Sequence, residues 1–172
     1  MEGVDRYGVR LLPHNPKWDE EFLAVAEEIK NCWGKNVIAI EHIGSTAIKL
    51  ICAKPILDVA VKLKSIKKLD VNAMINLGYE YCGPRNEKGT RHLFVLRGDN
   101  EISLRHIHCY HKSENEFNLV VSFRDYLNSH PSDALKYQKL KTDLAKKMPN
   151  DRAAYTSAKD EFIRSVYEKI KK

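Results

Sequence analysis

Residues 41–61 read EHIGSTAIKLICAKPILDVAV, and the fold turns on what stands at either end of this stretch. A run rich in β-branched residues, NVIAIEHI at 36–43, enters it as a buried strand and stops at Gly44-Ser45-Thr46. A second run, ILDVAVKL at 56–63, leaves it behind Pro55, a residue suited to a strand's first position. A strand that ends in Gly-Ser ahead of a short helix-like stretch presents backbone N–H groups to phosphate oxygens. Gly44 lets the backbone approach, Ser45 adds a hydroxyl donor, and Thr46 continues the turn. Asp58 lies inside the second strand between apolar neighbours, where a carboxylate is costly unless it meets a cation or donors. Mg²⁺ held by one or two carboxylates plus nucleotide phosphates is such a partner. The plainer alternative is a strand-end acid paired with Lys54 or capping a helix. Lys54 itself reads as a phosphate contact acting as a point charge, or as a solvated loop lysine.

Working outward, Asn15-Pro16 starts a helix of about 15 residues, with Trp18, Phe22, Val25, Ala26 and Ile29 at helical spacing. A further helix is expected over about 66–77, closed by Gly78. RHLFVLR (91–97) and ISLRHIHCY (102–110) flank the turn Gly98-Asp99-Asn100 and read as an antiparallel hairpin. From about residue 114 the chain turns helical to its end, with breaks at His130-Pro131 and Pro149, and one last helix carrying Tyr155, Phe162, Val166 and Ile170. Strands early and helices late make the class α+β, with a mixed sheet.

With 172 residues, 43% of them hydrophobic and 30% charged, the chain has enough apolar material for a core and no bias toward disorder. A single domain is expected, with residues 1–112 forming a sheet-containing core and 113–172 a helical extension packed on it. No run approaches the roughly 18 consecutive apolar residues of a membrane helix. The start, MEGVDR, mixes charges where a secretory signal carries a basic segment and an apolar block, so a cytoplasmic location is expected. Cys32, Cys52, Cys82 and Cys109 have no metal-binding spacing and read as reduced thiols. The net charge of +6 sits in residues 136–172, with eleven basic side chains against five acidic. That excess either attracts a polyanion such as RNA or is the solvated face of surface helices.

His106 and His108 stand two apart on a strand and therefore face one side. Three readings compete: a metal site with Asp58, a phosphate-binding face with Arg91 and Arg105, or half-exposed strand residues. His42 and His92 are further candidates for the same face. In FRDYL (123–127), Arg124 either reaches the site or forms a structural ion pair. Tyr155 and Lys159 share a helical face and either cover a base or ribose or continue the core.

The 41–61 string, together with FRDYL and AYTSAK (154–159), resembles the GrpB family, which is placed in the nucleotidyltransferase superfamily. The resemblance covers nearly the whole chain. It implies a polymerase-beta-like core: a short mixed sheet with flanking helices and a helical C-terminal extension. In active superfamily members Gly-Ser binds the triphosphate, two acids one residue apart bind two metal ions, and a third acid on a later strand activates the acceptor hydroxyl. Gly44 and Ser45 match the first element and Asp58 the first acid. The second acid is replaced by Ala60, and the later strand reads Arg105-His106-Ile107-His108 where the third belongs.

The expectation is a nucleotidyltransferase-like protein that binds a nucleoside triphosphate with Mg²⁺ or Mn²⁺ and passes a nucleotidyl group to an acceptor: a small molecule, a protein or RNA. Asp58, His106 and His108 are the candidate catalytic residues, with Asp58 and His108 on the metal. Gly44, Ser45, Thr46, Lys54, Arg91 and Arg105 are the candidate nucleotide contacts. The alternative is a catalytically silent nucleotide-binding or regulatory module, favoured by the missing acids. A third reading is an RNA-binding surface on the basic C-terminal helices. No membrane partner is expected, and the oligomeric state is left open.

Overall fold

The computed structural model describes residues 1–5 and 7–171; Arg6 and Lys172, counted in the charge pattern above, lie outside it. Helix α1 is Lys17–Trp33, opened by the Asn15 side chain accepting from the Lys17 N–H. Strands β1 (Val37–Ile43) and β2 (Leu57–Leu63) follow, then a short α2 (Val71–Asn76) and β3 (Tyr79–Pro84). β4 (Arg91–Arg97) and β5 (Ser103–His111) complete a sheet ordered β1-β2-β5-β4-β3. Only β2 and β5 run parallel, so the sheet is mixed, as expected. Four helices close the chain: α3 (Glu116–Ser129), α4 (Pro131–Lys147), α5 (Arg152–Ser157) and α6 (Asp160–Ile170). Among the described residues no helix is long and apolar enough to cross a membrane, and the four cysteines are free thiols.

Three elements differ from the sequence reading. The expected helix over 66–77 is a single turn at Ile66–Lys68 followed by α2, because the Asp70 carboxylate accepts from the Ala73 N–H and starts the helix there. β3 was not anticipated. The last helix is two, because the Lys159 N–H turns back to the Thr156 carbonyl while the Lys159 carbonyl opens the next helix by accepting from Ile163.

Strand alternation sorts the sheet into two faces. Leu57, Val59, Val61 and Leu63 of β2, with Ile107 and Cys109 of β5, pack against Val25, Ile29 and Trp33 of α1. Each of these β2 side chains is fully buried, a stabilisation of about 1.5–3 kcal/mol apiece for Val or Leu. On the other face Ala60, Ile43 and Tyr110 meet Phe117 of α3. A third cluster joins Ile48 and Ile51, in the loop after β1, to Phe123, Leu127, Tyr137 and Val166 of the C-terminal helices. The helices therefore close over the segment that carries the Gly-Ser turn.

Candidate functional site

Parallel pairing sets Asp58 of β2 beside His106 of β5, and Ala60 beside His108. The three polar side chains thus rise from one face. His106 Nδ1 lies 3.1 Å and His108 Nε2 3.2 Å from the same Asp58 Oδ1. An ionised carboxylate only accepts, so both imidazoles donate to it. Burial pushes the Asp58 carboxyl up, but the hydrogen bonds and charge of the two histidines outweigh it and hold the group well below the usual carboxylate range. One ligand atom from each residue fits within 4.8 Å of the others.

Gly44 is required where it stands. It has φ 71° and ψ −170°, a region that only glycine readily occupies, and a Cβ there would come 2.7 Å from Asp58 Oδ2. The backbone thus passes close to the carboxylate, and the Ser45–Ala47 turn follows directly. Asn128 of α3 locks the turn in place, donating to the Ala47 carbonyl and accepting from the Lys49 N–H.

Gly44, Ser45, Asp58 and His106 line a cavity of about 330 Å³, within the range of small-molecule sites. Its other lining residues include Lys54, Arg152 and Lys159, and the aromatic rings of Phe123, Tyr137, Tyr155 and Tyr167. The Lys54 and Lys159 ammonium groups stand 5.1 and 4.5 Å from the Tyr155 ring centre. Burial, reinforced by the charges of Arg152 and Lys159, pushes Lys54 down to about 7. Lys159 and Arg152 are shifted down as well, chiefly by burial. Tyr137 is pushed up to about 12 by burial, against a hydrogen bond with the Ser45 side chain. Arg152, Lys159 and a partly protonated Lys54 against the single carboxylate of Asp58 leave the cavity electropositive near neutral pH, and an anionic ligand favours the charged form of each.

Behind this wall, Lys141 is buried among protein atoms, donates to the Cys52 carbonyl and lies 5.0 Å from the Tyr137 ring centre. Burial brings it down to about 7. Gln138 accepts from the Cys52 N–H at 2.7 Å. α4 therefore grips the loop that presents Lys54.

Of the residues weighed from the sequence, Gly44, Ser45, Lys54, Asp58, His106, Tyr155 and Lys159 line this one cavity, and His108 joins them through Asp58. Thr46 does not face the cavity. It is buried, and its hydroxyl meets His42 Nε2 at 2.9 Å. Arg105 is on the opposite face, since it shares the parity of Ile107, and its guanidinium donates to Glu21, Glu28 and Tyr79. Arg91 is held by Glu116 at 2.6 Å, over the Tyr110 ring. His42 stacks on Phe22 on the α1 side, and His92 bonds Tyr81. Arg124 makes the structural ion pair, to Glu41 at 2.7 Å, and also donates to the His42 carbonyl. Arg152 and Tyr137 were missed; no spacing relative to residues 44–58 marks either one. The basic C-terminal third is partly neutralised: Lys136 and Lys169 pair with Asp133, Lys139 with Asp143, and Lys171 with Glu168.

A family model described as GrpB protein matches residues 8–169. The chain belongs to the GrpB family. The YqkA protein of Bacillus subtilis is 35% identical over 167 residues, which cover 95% of this chain and 48% of that protein. This GrpB chain therefore spans about half of that relative's length. The crystal structure of the conserved protein GrpB from Enterococcus faecalis is 30% identical, with a TM-score of 0.85 over 94% of this chain and 96% of that one. The Cid1 poly(U) polymerase, in a structure bound to MgATP, is 12% identical, with a TM-score of 0.52 over 79% of this chain and 44% of that one. At that identity the likeness is one of fold alone.

Proposed function

We propose that the cavity binds the triphosphate of a nucleoside triphosphate together with one divalent cation, and that the protein passes a nucleotidyl group to an acceptor. One observation carries this reading: a single cavity is lined by Asp58 and His106, side chains of the kind that ligate metals, and by three basic side chains, Lys54, Arg152 and Lys159, beside the Gly44-Ser45 turn. The turn's backbone N–H groups and the Ser45 hydroxyl bind phosphate oxygens. The three cations neutralise the rest of the phosphate charge and keep the chain of phosphates against the sheet. The aromatic rings supply much of the apolar lining. Asp58 and His108 hold the cation, which when bound supplies charge stabilisation at the phosphates. His106 completes its ligand set or takes the proton of an acceptor hydroxyl. Two metal ions on paired carboxylates do not fit: Ala60 is fully buried among Ile43, Tyr110 and Phe117, and β5 presents imidazoles in place of an acid.

The same Ala60 favours a second reading, a nucleotide-binding module without transfer. A thermal-shift series with each nucleoside triphosphate, with and without Mg²⁺, Mn²⁺ or Co²⁺, tests both. A ligand at a hundred times its Kd adds about 2.7 kcal/mol, or roughly 5–11 °C for a chain of this size. The expected result is a cation-dependent shift that Asp58→Ala abolishes. Pyrophosphate release by the wild type, lost in the variant, separates the transferase from the silent module. No shift with any nucleotide overturns both readings.

A further inference from the structure

We infer that Asp58, His106 and His108 together form a site for one first-row transition-metal ion, held by the protein alone and selective against Mg²⁺. The inference rests on the cavity being the working site proposed above, and it names the cation class of that site. The carboxylate oxygen lies 3.1 and 3.2 Å from the two imidazole nitrogens. Ligands about 2.0–2.2 Å from a common ion stand about 3.0 Å apart at right angles and about 3.4 Å apart in a tetrahedron, so both carboxylate–imidazole separations fall between the two, and the ligand atoms of all three residues lie within 4.8 Å of one another. An ion placed there takes the lone pairs of His106 Nδ1 and His108 Nε2, whose protons pass to the other ring nitrogens or to solvent.

The choice of ion follows from the donor set. Mg²⁺ prefers oxygen ligands and an octahedral shell, usually one or two carboxylates plus phosphates and waters. Here a single carboxylate is available, because the neighbouring position on the same strand face is Ala60 in an apolar cluster. Imidazole nitrogen suits Zn²⁺, Fe²⁺, Co²⁺ and Ni²⁺, and two imidazoles with one carboxylate leave coordination positions open. Asp58 and His106 line the cavity, so those open positions face the space given to the phosphates. The three side chains are only 16–29% exposed, which limits competition from water. Of the other histidines, His42 meets Thr46, His92 Tyr81, His111 Ser113 and His130 the Tyr126 carbonyl, while His14 packs edge-on against Trp18, away from the site.

The test uses the untagged, metal-free full chain with no nucleotide present. Co²⁺ titration followed by visible absorption should saturate at one equivalent. Zn²⁺ should displace the Co²⁺, and millimolar Mg²⁺ should leave it in place. Asp58→Asn and His108→Gln should each weaken Co²⁺ binding by more than about 100-fold, beyond the roughly 10–100-fold that outer-shell partners carry. His111→Gln, outside the site, should bind as the wild type does. Absence of a Co²⁺ complex in the wild-type chain, equal competition by Mg²⁺, or full binding by the Asp58→Asn variant each overturns the inference. The wild-type Co²⁺ and Mg²⁺ arms need no variant to fold. A metal complex in a protein that binds no nucleotide leaves this inference standing and removes the proposed function; nucleotide binding with Mg²⁺ and no Co²⁺ complex does the reverse.

Discussion

Gly44→Ala tests the link between the turn and the carboxylate most directly. The backbone at Gly44 sits at φ 71° and ψ −170°, where a non-glycine residue costs about 1–3 kcal/mol. For a chain of this length that is a fall in Tm of about 2–12 °C, at roughly 2–4 °C per kcal/mol. The added methyl also meets Asp58 Oδ2 at 2.7 Å and Asp58 Cβ at 3.1 Å, so the carboxylate must move. Moving it stretches hydrogen bonds to His106 and His108 that are already 3.1 and 3.2 Å long. Gly34→Ala is the matched control. Gly34 also has positive φ, at 45°, but a Cβ there meets nothing within 4 Å. Urea unfolding should show both variants destabilised, while Co²⁺ or nucleotide titration should show weakened binding only for Gly44→Ala. The reasoning fails if Gly44→Ala binds its ligands as tightly as wild type, or if Gly34→Ala loses binding to the same degree.

Ala60→Asp restores the missing acid on paper, yet the new carboxylate enters the cluster of Ile43, Tyr110 and Phe117. It should cost about 3–5 kcal/mol as an uncompensated buried charge and bring no gain in Mg²⁺ affinity; a stable variant with tightened Mg²⁺ binding would count against this account of the strand face. Lys54 and Lys141, both pushed down to about 7, bind fewer protons folded than unfolded between about pH 7 and 10.5. Stability should therefore rise with pH across that window, and Lys141→Met should flatten the rise, as measured by denaturant unfolding at pH 7 and pH 9. Nucleotide affinity should run the other way, falling as pH climbs through about 7 and Lys54 loses its charge, with Lys54→Arg removing the fall in a calorimetric titration.

Much of the fold lay open in local pattern. α1, β1, β2, β4 and β5 fall within a residue or a few of their expected bounds, because each carries a strong apolar period or a β-branched run ended by a turn residue. β3 escaped because Tyr79–Pro84 is short, pairs only with β4 along an edge and ends in Gly-Pro. In the site, Gly44, Ser45, Lys54 and Asp58 belong to one continuous stretch, and His106 and His108 share strand parity. That same parity separates Arg105 from them, since it faces the same way as Ile107 toward α1.

The sequence by itself determined the strand-turn-strand unit, the position of the lone carboxylate within it, and the pairing of the two histidines on one side of a strand. Each is set by neighbours within a few residues, through alternation, turn chemistry and the cost of burying charge. Only the tertiary structure decided that β5 lies parallel beside β2, which brings His106 and His108 onto Asp58 across 48 and 50 residues of chain. It alone brought Lys54, Arg152 and Lys159 around one cavity and committed Arg91 to Glu116. Those outcomes depend on which strands pair and on where the apolar face of the C-terminal helices finds its cover, and no local period encodes either.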